Sequence, residues 1–136
     1  MNSMLKRGLI AGVVNLIVGL LFQQFFGTIF PSVVAEYQNT SLFRPWNDPL
    51  MTLFFAYPFI LGIVLAYFWD MVYSSLKGNA QQKIFNFAKI YFLIATIPGM
   101  FISYTSFQVS ALLVLSWTLS GFIEAYVAGW VFTRMK

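Results

Sequence analysis

The sequence predicts an all-α integral membrane protein, a four-helix bundle built from two helical hairpins. Three observations carry this. The chain is 60% apolar and only 9% charged, whereas soluble domains are about half apolar and about a quarter charged. It contains charge-free stretches long enough to cross a bilayer. Its basic residues sit at the ends of those stretches, in short connections and tails, as membrane topology requires. The 136 residues suffice for a single transmembrane domain over 1–136 and not for two.

The first stretch, Leu9 to Phe30, follows Lys6 and Arg7 and ends at Pro31. As a helix it spans about 33 Å, enough for a hydrocarbon core of about 30 Å. Val33 and Ala35 loosely fit a signal-peptide cleavage rule, but the apolar run is too long for a typical signal, so a retained helix is expected. Residues 31–49 read as an outer loop with three prolines and the polar run Gln38 to Ser41. Asn39-Thr40-Ser41 fits a glycosylation sequon, a pattern common by chance. Phe43 to Trp46 is aromatic for a solvated loop, so Arg44 and Trp46 are expected to anchor at the membrane interface. A cation–π pair between these two is also expected.

The second helix is expected over about 50–72, with Pro58 tolerated as a kink and Asp70 at its cytoplasmic edge, meeting water or a lysine. A polar connection over 73–83 follows, with Gly78-Asn79 as its turn signal. The remaining apolar run would be far longer than a bilayer as one helix, so it must fold back. The polar cluster Ser103 to Ser110 is the turn. That gives helices over about 84–107, with Lys89 snorkelling and a kink at Pro98-Gly99, and about 111–133. Ile60 to Tyr67 aligns with Leu119 to Tyr126 through Gly, Ala and Tyr, a weak parallel two-helix repeat.

With no Cys and no His, disulfides, thiol nucleophiles, His-based zinc or haem sites and the Ser-His-Asp triad are excluded. No cofactor motif and no metal site are read. The net charge of +4 is spread over helix flanks, without the basic stripe a nucleic acid needs, so no nucleic-acid partner is expected.

Small residues at four-residue spacing let helix backbones approach closely. Gly121, Ala125 and Gly129 form such a face on the last helix and Gly62 and Ala66 on the second, while Gly8, Gly12, Asn15 and Gly19 offer a similar small face on the first. Whether the partner helix belongs to the same chain or a second copy is open at this point. Glu124 lies about 13 Å from the cytoplasmic end of its helix, at a depth where ionisable groups face the bundle or a wet cavity. Ser116, Ser120 and Glu124 make one polar stripe, and Asn15 enters from the same side at similar depth. These four are the candidate intramembrane polar site. Glu124 is expected either as a neutral carboxyl donating to an acceptor such as Asn15, or lining a wet cavity. No catalytic residue is assigned.

Three function classes remain. One is a structural, accessory or lipid-interacting subunit, with membrane lipids and a second copy or another membrane subunit as partners. It is favoured by 27 aromatic residues, 16 of them Phe, and by the small-residue faces. The second is a small transport or permeation protein using the Glu124 stripe as a homo-oligomer. The third, a membrane enzyme acting on lipids or isoprenoids, needs paired carboxylates. Only Glu36, Asp48, Asp70 and Glu124 exist, and they divide between the two sides.

Lys6, Arg7, Lys77, Lys83, Lys89, Arg134 and Lys136 fall on one side and Arg44 alone on the other. The positive-inside rule then puts both termini in the cytoplasm. A reporter fused after Lys136 is expected to be active there, and activity on the far side would overturn the assignment.

Overall fold

The computed structural model describes residues 2–135. Lys136, counted above among the basic residues, lies outside the described residues. Those residues form only helices and turns, with no strand among them. Four helical spans are long and apolar enough to cross a bilayer: Ser3–Ile29, Pro49–Ser75, Ala80–Ser106 and Ala111–Arg134. By length and composition the protein is a multi-pass membrane protein. The end carrying both termini is called here the terminal end, and the opposite one the loop end.

The first span is one helix, α1 (Ser3–Ile29). It begins earlier than the expected Leu9 because Asn2 caps it, its Oδ1 accepting from the Met4 N–H at 3.1 Å. Arg7 is therefore inside the helix and reaches Asp70, donating to both carboxylate oxygens at 2.7 and 2.9 Å. The expected partner of Asp70, water or a lysine, is thus replaced by a two-point guanidinium pair, the stronger geometry.

The segment expected as a plain loop holds a short helix, α2 (Pro31–Tyr37). Pro31 ends α1 and opens α2, since a first-turn N–H is dispensable. Farther along, the expected Arg44–Trp46 pair is absent. Arg44 bonds Asp48 at 2.9 Å, while Trp46 lies edge-on to Phe54 at 5.6 Å. Asp48 also accepts from the Leu50 N–H at 2.9 Å, capping the next span. That backbone bond first, and Arg44 second, hold its carboxyl below the usual range.

The second span starts as a 3₁₀ turn, Pro49–Ala56, and becomes regular in α3 (Tyr57–Val72) with Pro58 in its first turn. The third comprises α4 (Ala80–Tyr91), a π turn over Phe92–Thr96, and α5 (Ile97–Ser106). It starts four residues before the expected Ile84 because Asn79 and Gln82 form a reciprocal capping box at 2.9 and 3.0 Å. Gly78 supplies the positive φ of 98° that reverses the chain. The π turn sits where the Pro98 ring would clash with the Ile94 carbonyl, so the kink is absorbed upstream. The fourth span is α6 (Ala111–Arg134).

α6 is the central helix, touching α1, α3, α4 and α5, while α1 also packs along α3. The α1–α3 contact is made backbone to backbone. A Cβ on Gly62 would strike the Gly8 carbonyl and the Gly12 amide, and one on Gly8 would strike the Ile63 Cα. Gly121 lies against Thr96, and Gly129 against Phe87 and Ile84. The aligned glycines Gly62 and Gly121 thus each face the preceding span. Ala66 and Ala125 are fully buried, and these close contacts all lie within one chain.

At the terminal end the bundle is closed by an aromatic core. Trp69 meets Phe87 edge-on at 5.0 Å and Phe132 at 5.8 Å, over Leu65, Leu76 and Ile84. Gly62→Ala is expected to lower thermal stability by about 1–3 kcal/mol through overpacking against α1. Gly99→Ala, where an added Cβ meets nothing within 4 Å, is expected to be silent. Equal melting of the two variants would refute the close-contact account.

Candidate functional site

The loop-end half of the bundle is held apart, and a cavity of about 520 Å³ lies there. Pro58 lines it, and so do residues on either side of Pro98. Pro58 and its neighbour Tyr57 come from the second span, and Tyr91, Ala95, Thr96 and Met100 surround the π turn and Pro98 on the third. From α1 come Asn15, Gly19, Leu20 and Phe22, and from α6 come Ser116, Trp117, Ser120 and Glu124. All four candidate polar residues therefore line one cavity. Leu20, Phe54 and Tyr57, which line it, are exposed at the bundle surface and lie within the membrane spans.

Glu124 accepts from the Ser120 hydroxyl at 3.0 Å, and the Tyr57 hydroxyl faces the same carboxyl. Across the cavity it meets α1 at Gly19, where even an added Cβ would stop 3.9 Å from Oε1. The expected Glu124–Asn15 bond is not formed. Asn15 sits one helical turn nearer the terminal end than Gly19, and Ser120 and Tyr57 are the closer partners. Asn15 is only 2% exposed, and neither its amide nitrogen nor its amide oxygen has a hydrogen-bond partner. Ser116 is turned back on its own helix, donating to the Leu113 carbonyl at 2.6 Å. The polar stripe is therefore real in space but divided: Ser120 serves Glu124, and Ser116 serves the backbone.

The loop end of the cavity is roofed by α2. Glu36 accepts from the Ser110 N–H and hydroxyl, both at 2.6 Å. A carboxylate at the start of α6 also suits the positive end of the helix dipole. Tyr37 accepts from the Trp117 indole N–H at 2.6 Å, and Val33 is buried with Phe26 and Leu113. Burial first raises the Tyr37 phenol above its usual range, against the opposing bond from Trp117.

Arg44 and Trp46, the expected interfacial anchors, lie away from the cavity, paired with Asp48 and Phe54. Gly121 is at the cavity wall, while Ala125, Gly129, Gly62 and Ala66 serve the packing beneath it. The residues that sequence reasoning missed are Tyr37, Tyr57, Tyr91 and Trp117. The signal for two of them was Pro58 and Pro98, because a broken ladder inside a span leaves room for neighbouring side chains. Among the described residues no group of three metal-ligating side chains occurs.

No family model matches the chain, and no curated protein or solved structure is significantly similar to it.

An unpartnered buried amide costs about 1–3 kcal/mol. Asn15→Leu is therefore expected to leave the melting temperature unchanged or to raise it. A marked fall would mean that the amide has a structural partner in the folded protein.

Proposed function

We propose that this protein is a lipid-interacting membrane subunit that takes an amphiphilic molecule sideways out of the bilayer into the Asn15–Glu124 cavity. The observation that carries the reading is the cavity itself, about 520 Å³ of space inside the membrane spans with a polar floor. Ligand pockets run from about 300 to 1,000 Å³, mostly apolar with a few convergent polar groups. Leu16, Leu20, Phe22, Phe26 and Phe54 supply the apolar wall, and Glu124, Ser120, Tyr57 and Asn15 the polar one. Lateral access suits a ligand that is already concentrated in the hydrocarbon.

The remaining carboxylates are engaged elsewhere, Glu36 by Ser110, Asp48 by Arg44 and Asp70 by Arg7. That leaves Glu124 without a second acid, which favours binding over acid–base chemistry. The alternative is transport, with Glu124 as an exchangeable polar station on a path across the membrane, in a homo-oligomer. It draws on the depth of Glu124 and on the α2 roof, whose release would open the loop end. In the proposed orientation both termini and the connection over 76–79 face the cytoplasm, and α2 faces the opposite side.

Gly19 opens onto the cavity with only Glu124 near it, so Gly19→Phe is expected to fill the space. Native mass spectrometry of protein extracted from membranes should show lipid-sized adducts on the wild type and few on Gly19→Phe, at similar melting temperature. Identical adduct patterns would overturn the reading. Proton or solute flux in proteoliposomes, lost in Glu124→Gln, would favour transport instead.

A further inference from the structure

We infer that the ligand of this cavity carries a fixed positive charge on an apolar body, that is, an organic ammonium. The inference rests on the amphiphile-binding reading above and names the head group.

Three features of the cavity point the same way. First, Glu124 is its only acidic residue, and no Lys or Arg lines it. Arg7 and Arg44, which could have neutralised a carboxylate, are committed to Asp70 and Asp48. The Ser120 and Tyr57 hydroxyls can donate to the Glu124 carboxylate, but they supply no charge. To stay ionised at this depth a carboxylate needs a cation, and among the described residues no Lys or Arg lines the cavity.

Second, aromatic rings share the cavity with the carboxyl. Tyr57, Tyr91 and Trp117 line the same cavity from three different spans. A quaternary ammonium set among aromatic faces is held by their quadrupoles, more strongly where water is scarce.

Third, size and wall chemistry exclude a bare ion. A cavity of about 520 Å³ would leave a metal ion far from most of its walls. The described residues offer no group of three metal-ligating side chains. Leu16, Leu20, Phe22 and Phe26 instead demand a carbon body. A neutral lipid would satisfy those walls but would leave Glu124 with hydroxyl partners alone.

The test uses two photoreactive alkyl probes of the same length, one ending in trimethylammonium and the other in its neutral tert-butyl isostere. They differ in charge and almost not at all in shape. Full-length protein in micelles of a non-ionic detergent, which carries no ammonium group of its own, is irradiated with each. Labelled peptides are mapped and normalised to labelling at Phe101, which is 70% exposed on the third span. The ammonium probe is expected to label the Gly19–Gln23 and Ser116–Glu124 segments about tenfold more than the isostere, the equivalent of one charge-assisted contact. Glu124→Gln should bring the two probes level, and Tyr57→Phe should reduce the difference. Equal labelling of the cavity by both probes in the wild type would overturn the charge assignment and leave the amphiphile reading standing. Labelling that avoids the cavity with both probes would overturn both. The comparison in the wild type decides without any variant having to fold.

Discussion

In hydrocarbon every backbone N–H and C=O has to be satisfied inside its own segment, and the rest of this structure follows from how the chain meets that requirement. Four continuous helices are the simple answer. Pro58 and Pro98 make it impossible in the second and third spans, because neither can donate and each crowds the carbonyl four residues back. The chain responds with a 3₁₀ turn before Pro58 and a π turn before Pro98. Both irregularities lie in the loop-end half of the bundle and both border the cavity. Irregular backbone at membrane depth is tolerated where it is buried in protein or lines a cavity, and here it lines one.

The terminal end supplies the rigidity that the loop end gives up. There the Gly8, Gly12 and Gly62 backbones touch, and Trp69, Phe87 and Phe132 interlock. Lipid tails are as apolar as these side chains, so no hydrophobic force drives the helices together. Close approach and dispersion do it instead, which is why small residues and flat rings alternate in the seam. The Arg7–Asp70 pair fixes the register of α1 against α3 at the same end. At the loop end the tie is polar: Glu36 and Tyr37 fasten α2 to α6 through three hydrogen bonds. One end of the bundle is therefore locked by packing, and the other is latched by hydrogen bonds.

Within this frame the polar floor of the cavity works against stability. An orphaned Asn15 amide and a carboxyl held only by hydroxyls contribute little to folding and cost desolvation. A core of leucines in their place would pack at no such cost. Residues that weaken the fold in this way mark the place where a ligand would be stabilising.

The sequence by itself determined the fold class and the number of spans. These follow from transfer free energy and helix rise, which act on one segment at a time. The small-residue faces were legible for the same reason, as a period along one helix. The start of α1 at Ser3, the Asn79 capping box and α2 were not expected, because they depend on single side chains closing short-range bonds. Tertiary structure alone decided the partners. Arg44 turned to Asp48 and not Trp46, Asp70 found Arg7, and Glu124 met Ser120 and Tyr57 while Asn15 was left unpaired. Those choices depend on the rotation of each helix about its axis and on the register between helices. In a membrane nearly every face is apolar, so the pattern along one helix does not specify which face meets which neighbour; only packing of all four spans together does.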